Sequence, residues 1–371
     1  MSLKILVPSL LFAGAFALAF FPRTSVEAGE VPAASRYKVL APIRHGNLTV
    51  FPVVAATTHD TNEFLTLDEG LRSGDVIVTE YGNVQGMVRP RGTRAWDERN
   101  TRRQPGTGAQ VNTLVLVNNS KRPLILLAGE IVTGGKQDRV IGKDRLVPAE
   151  SDPVDLSVFC VEPGRWTATS EKFGGLSGAM AQPAVRSKAM ADKDQNKVWQ
   201  EVGKSKATMA AAMPAPVAGV LGGTSSYARV MENEDVKQKV DSVAAPIERD
   251  YRSVIQQLRE HNAVGVVVAV NGEIIWADIF GSTSLLEKYW PKLARSYAAE
   301  AIVSQNKSHV ADEKSAQTFL DDMEGRHQTV DSEPGLYRHT EISGDGFKAF
   351  ELTTLLPKTG FDLHVAKMAN N

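Results

Sequence analysis

The sequence predicts an α+β protein: a β-rich N-terminal half, a strand-helix C-terminal half, and one compact unit carrying a helical or flexible insertion. Three observations lead there. Short β-branched and aliphatic runs, punctuated by Gly, Asn and Pro, crowd residues 36–160. The longer helical stretches fall later, between Ala189 and Tyr297. The strongest hairpin signal, Asn271-Gly272 between two apolar runs, stands in that later part.

The chain opens on a targeting segment. Lys4 supplies a positive start, Ile5 to Phe21 is almost wholly apolar, and Val26-Glu27-Ala28 offers small residues before a cut ahead of Gly29. A membrane anchor is the competing reading, since a span needs roughly 17–25 apolar residues. Pro22 and the small residues favour a signal peptide over residues 1–28. The expectation is an exported protein, periplasmic or extracellular, with no stable membrane insertion once the segment is removed.

Charge and cysteine content narrow the function. Forty-two basic residues face 43 acidic ones, a formal charge of −1, so there is no basic domain to hold a nucleic acid. The single cysteine, Cys160, can form no internal disulfide and cannot build a thiolate-rich metal site. No HExxH, His-x-His or carboxylate-rich calcium loop is present, and the reading assigns no metal and no cofactor.

In chain order, Tyr37–Leu40 and Leu48–Phe51 flank the turn His45-Gly46-Asn47 as a hairpin. Thr66 caps a short helix over Leu67–Leu71, and Val76–Glu80 and Thr113–Val117 are strands. Between them Arg89–Gln110 has no apolar periodicity and reads as a solvated loop. Asn118–Pro123 turns the chain into Leu124–Leu127, and Val154–Val161 alternates as a half-buried strand should. From Phe173 to Tyr227 the composition shifts to Ala, Met, Gly, Ser and Lys, which marks an insertion; Ala189–Ala212 is its helix and Met213-Pro214-Ala215-Pro216 its break. A second helix spans Glu234–His261. Val264–Val270 and Glu273–Phe280 form the hairpin, Ser282 caps a helix through Lys292 to Tyr297, and Phe347–Leu356 and Phe361–Val365 close the fold.

Chemistry concentrates between Asn118 and Trp166. Glu130 follows directly on an apolar run, and a carboxylate at a strand end acts as general acid or base if burial raises its pKa; the alternative is a salt bridge to Lys136 or Arg139. Gly134-Gly135 precede Lys136, Gln137 and Arg139, residues able to hold a carboxylate or phosphate, or else to clamp a main-chain carbonyl or Glu162. The Gly-Lys-Ser/Thr ending of a P-loop is absent. Glu162, Arg165 and Trp166 surround the turn Pro163-Gly164: Arg165 binds an anion and Trp166 stacks on a ring, or Arg165 pairs with Glu130 or Glu162 and Trp166 plugs the core. Cys160 is either a nucleophile or a small buried hydrophobe. Asp278, at the end of the return strand, is a further polar residue in reach of such a pocket. The functional expectation is a polar pocket for an anionic small molecule; the alternatives are a non-catalytic interaction or scaffold protein braced by the same residues, and a cysteine-dependent enzyme.

Taken together, Leu127-Ala128-Gly129-Glu130, Gly134-Gly135-Lys136-Gln137-Asp138-Arg139, Leu146-Val147-Pro148-Ala149 and Cys160-Val161-Glu162-Pro163-Gly164-Arg165-Trp166 resemble the ARPP-1 domain, the ARG and rhodanese-phosphatase-superfamily-associated protein domain. Val266–Phe280, Gly281-Ser282 and Trp290-Pro291-Lys292-Leu293 are similar to that family's C-terminal half, which places the domain over residues 36–366. The family name records association with other proteins, so the resemblance implies a domain assignment and a connection to nucleotide or ADP-ribose chemistry. The export segment and the Ala/Met/Lys-rich tract run against an intracellular role of that kind.

Overall fold

The computed structural model describes residues 36–80, 113–164, 169–257, 262–304, 310–333, 335–356 and 360–370. Residues 1–28, the stretch Arg89–Gln110, and Arg165 and Trp166 lie outside the described residues.

The chain begins with β1 (Tyr37–Val39), β2 (Ile43–His45) and β3 (Leu48–Ala55). The turn at His45-Gly46-Asn47 forms as expected, but its partners are β2 and β3, with His45 opposite Leu48. β1 pairs farther along β3, Val39 opposite Val53, so the hairpin read in the sequence forms with its first arm interrupted between β1 and β2. β4 (Leu65–Thr66) then enters α1 (Leu67–Ser73) through a capping box, in which Thr66 and Glu69 each satisfy the other's backbone N–H.

Next come β5 (Val76–Glu80), β6 (Thr113–Asn118), β7 (Leu124–Leu126), β8 (Glu130–Thr133), β9 (Arg139–Ile141), β10 (Arg145–Val147), β11 (Val154–Cys160) and β12 (Lys172–Met180). Six of these close into a barrel in the order β11-β6-β5-β12-β8-β9, each neighbour antiparallel. Closure removes every free edge. Its aliphatic interior includes Val78, Leu116, Val132, Ile141 and Val158, plus Phe173. The alternation read in Val154–Val161 is the pattern found: Leu156, Val158 and Cys160 are buried, while Asp155 and Ser157 are exposed. β4, β7 and β10 form a separate three-stranded sheet.

The tract read as an insertion is part of the framework. β12 is a barrel stave, and α2 (Pro183–Ser187), a π-helical turn (Lys188–Asp192), α3 (Gln195–Ala211), α4 (Ala215–Gly222) and α5 (Tyr227–Glu232) follow it. Val185, Ala189, Met190, Val198, Val202 and Met209 all lie in the main core. The sequence hid this for two reasons. Lys172–Met180 has no β-branched residue and Phe173 as its one aromatic, and small Ala and unbranched Met make a faint apolar stripe.

The remainder runs α6 (Glu234–Gln257), β13 (Asn262–Val270), β14 (Glu273–Phe280), α7 (Thr283–Val303), α8 (Glu313–Asp321), β15 (Arg326–Glu333), β16 (Tyr337–Gly344), β17 (Phe347–Thr354) and β18 (Asp362–Ala369). Asn271 and Gly272 adopt φ of 53° and 75°, the left-handed pair that a tight hairpin turn requires. The antiparallel sheet is ordered β1-β3-β13-β14-β18-β17-β16-β15, with β2 also on β3. β13 is apolar from Ala263 to Val270 because both its faces are covered. Val266, Val268 and Val270 join the core with α2, α6 and α7, while Val264, Val267 and Ala269 pack with Ala316 and Leu320 of α8. Trp276 and Phe280 of β14 also lie in the first of these cores. Asp278, between them at strand period two, is thereby carried to the same face.

Candidate functional site: a buried charge junction

The Leu127-Ala128-Gly129-Glu130 turn joins β7 to β8 and is held by acids from two directions. Leu127 N–H donates to Glu130 Oε2 at 2.8 Å, and Ala128 N–H donates to Asp144 Oδ1 at 2.7 Å. Gly129 has φ of 96°, and a Cβ there would stand 2.6 Å from Cγ of Arg186. Glycine is needed twice over, for the backbone conformation and for the passage of the arginine stem.

Two ionic groups meet at this turn. In the first, Lys292 of α7 places Nζ 2.5 Å from Glu130 Oε1 and 2.9 Å from Asp68 Oδ2 of α1, above the Tyr289 ring. Burial disfavours the charge on Lys292, but Glu130 and Asp68 outweigh it and hold the ammonium pKa above its ordinary value. Burial pushes the Glu130 carboxyl up, against the pull of Lys292.

In the second, Arg186 of α2 grips Asp278 with both terminal nitrogens, at 2.8 and 3.0 Å. Asp278 also accepts the Tyr297 hydroxyl from α7 and faces His364 Nε2 at 3.1 Å. The other ring nitrogen of His364 lies 2.5 Å from Asp144 Oδ2, between β9 and β10. The Arg186 guanidinium sits over Trp276 at 4.4 Å. Arg186, Asp278, His364 and Asp144 are all fully buried. Burial would strip the proton from His364, yet a carboxylate on each ring nitrogen raises its pKa to about 9. Burial likewise works against charge on Asp278, but Arg186 and His364 hold its carboxyl well below the usual range. Two cations and two anions therefore balance, the condition under which buried charge is tolerated.

The residues singled out in the sequence divide between this junction and a second cluster. Glu130 is in the junction, paired with Lys292 rather than with Lys136 or Arg139. Gly134, Gly135, Lys136, Gln137, Arg139 and Glu162 belong to the β8–β9 turn and its neighbours. Lys136 N–H donates to Glu80 Oε1 at 2.8 Å, and Lys136 Nζ is 3.9 Å from the same carboxylate. Gly134 N–H donates to Asp138 Oδ1, and Ser226 Oγ donates to Asp138 Oδ2. Gln137 Nε2 donates to the Glu162 carbonyl, Asp138 N–H to Glu162 Oε2, and Arg139 Nη1 to the Asp138 carbonyl. The glycine turn thus does hold anionic groups, and the protein supplies them itself. Cys160 is buried, with its backbone bonded to the Gln195 side chain in both directions; burial pushes the thiol pKa up, away from the thiolate.

Sequence reasoning did not assemble Asp68, Asp144, Arg186, Tyr297 and His364, and quoted Lys292 only within a motif. The available signal was a charged or polar side chain enclosed by apolar neighbours, as in Ala277-Asp278-Ile279 and Leu363-His364-Val365. Such placement is costly unless a partner is waiting. Among the described residues no group of three or more His, Cys, Asp or Glu side chains is arranged to hold a metal ion, and no helix is long and apolar enough to cross a membrane.

A closed six-stranded barrel, a large antiparallel sheet and a buried charge junction define an α+β domain in which Glu130, Gln137, Asp138, Arg139 and Glu162 are buried. Residues 36–366 match the model of the ARPP-1 family, the ARG and Rhodanese-Phosphatase-superfamily-associated Protein domain, and the chain belongs to that family. Comparison with curated proteins and with solved structures returned no match.

Proposed function

We propose that this is an exported, non-catalytic interaction or scaffold domain in which the Glu/Lys/Arg motif acts as an internal brace. One observation carries the reading: Glu130, Gln137, Arg139 and Glu162 are each at most 3% exposed, and protein groups engage them. A catalytic acid or anion clamp has to reach a substrate, and these side chains engage Lys292 and main-chain groups of the protein. The charged, apolar start from Lys4 to Phe21 supports export, and N-terminal sequencing of the native protein should begin near Gly29.

Thermal unfolding tests the brace, using wild type, Arg139→Ala and Glu130→Gln against nucleotides, sugar phosphates and inorganic phosphate. The brace reading expects both variants to melt lower and no stabilising compound to depend on Arg139. A phosphate compound that stabilises wild type but not an otherwise unaltered Arg139→Ala protein would instead establish an anion pocket at the motif.

A further inference from the structure

Away from the junction, a cleft of about 790 Å3 opens between the two hairpin turns and the helices. Its floor is Gly46-Asn47 and Asn271-Gly272, its walls include Val243 of α6 and Ile302 of α7, and Arg44 and Lys239 supply its charge. Among the described residues that line it there is no Asp or Glu. That is notable in a chain whose acids outnumber its bases, 43 to 42.

The floor is fixed in place. Asn47 Nδ2 donates to Asn271 Oδ1 at 3.0 Å and to the Ala301 carbonyl at 2.9 Å, and Asn271 N–H donates to the Asn47 carbonyl at 2.8 Å. One hairpin turn is thus bolted to the other and to the end of α7. Arg44 uses one nitrogen, Nη2, to hold the Ala311 carbonyl at 3.1 Å, which orients the guanidinium and leaves further donors. Lys239 is exposed and has no acidic side chain within ion-pair distance among the described residues. The cleft therefore combines a preorganised polar floor, an aliphatic wall and two cations with no competing carboxylate. Its volume lies within the roughly 300–1,000 Å3 usual for small-molecule sites.

We propose that this cleft binds a small amphipathic oxyanion, a carboxylate or phosphate monoester with an apolar body, its charged end held by Arg44 and Lys239 and its body against Val243 and Ile302. The site is independent of the brace, since none of its lining residues belongs to the charge junction.

Isothermal titration with hexanoate, hexyl phosphate and uncharged hexanol tests it on the full chain. Saturable binding of at least one anion, and none of hexanol, is expected; the stronger of the two anions identifies the head group. Lys239→Ala should weaken that binding about tenfold, the loss of one charge-assisted contact, with an unchanged melting temperature. Lys239→Glu should abolish it. The proposal is overturned if neither anion saturates, if hexanol binds equally well, or if Lys239→Ala binds like wild type. Because Lys239 is exposed, its variants fold, so a change in binding is read apart from a change in stability. Failure here leaves the brace reading standing, whose readout is unfolding.

Discussion

The barrel and the charge junction beside it bury their side chains by opposite means. Inside the barrel Val78, Leu116, Val132, Ile141 and Val158 pack around Phe173, and no geometry beyond shape is demanded of them. In the junction Arg186, Asp278, His364 and Asp144 are as deeply buried, but each is tolerable only while its partner stays in place. Aliphatic packing loses stability in proportion to what is cut away, whereas an ionic network left with an odd charge loses it all at once. Barrel stability is therefore spread over many residues. The docking of α2 and the β9–β10 connection onto the sheet is concentrated in four.

The most severe test of that contrast is Asp278→Ala, which leaves Arg186 without its anion and His364 with Asp144 alone. It should cost about 3–5 kcal/mol in urea unfolding. Replacing the pair together, Asp278→Leu with Arg186→Met, should recover much of the loss, because the desolvation cost disappears along with the attraction. A single variant no worse than the double one would break the comparison on its ionic side.

On the apolar side, Leu116→Ala should cost about 2–4 kcal/mol, the transfer of the lost methyls plus a cavity. No companion substitution outside its packing neighbours should rescue it. Rescue by a distant charge change would show that the barrel and the junction are not separable in this way.

The pH dependence of stability sharpens the picture. The pKa of His364 is raised from 6.5 to about 9, so its contribution is full below about pH 6.5 and is lost as pH rises toward 9. His339 behaves in the opposite sense. Among the described residues neither of its ring nitrogens has a hydrogen-bond partner, and burial lowers its pKa from 6.5 to about 4. It stays neutral when folded, so stability falls as pH drops from 6.5 toward 4. Urea midpoints measured across this range should give two limbs. His339→Leu should flatten the acid limb and leave the alkaline one; a variant that flattens both would assign them to a shared group.

The smallest effect expected is at Cys160. Cys160→Ser places a hydroxyl in a packed strand and should cost about 1–2 kcal/mol. Iodoacetamide should label the wild-type thiol only after unfolding, and rapid labelling of the native protein would revive the thiol-enzyme alternative.

What could be read along the chain was whatever depends on neighbours in sequence. The cap at Thr66, the Asn271-Gly272 turn, the cap at Ser282 and the alternation through Val154–Cys160 are local agreements between side chain and backbone, and they formed as read. β15 and β16 were not read at all. Arg326–Glu333 and Tyr337–Gly344 are polar enough to pass for loop, and they become strands because β17 offers a ladder to extend.

The composition and motifs alone determined the α+β class, the family resemblance and the place where chemistry gathers. Tertiary structure alone decided which partners those residues take. Glu130 meets Lys292 across 162 positions of chain, and His364 meets Asp144 across 220. Electrostatic partnership acts through space and leaves no period in the sequence. A glutamate beside glycines reads identically whether a ligand or a distant lysine will neutralise it, and only folding brings the lysine there.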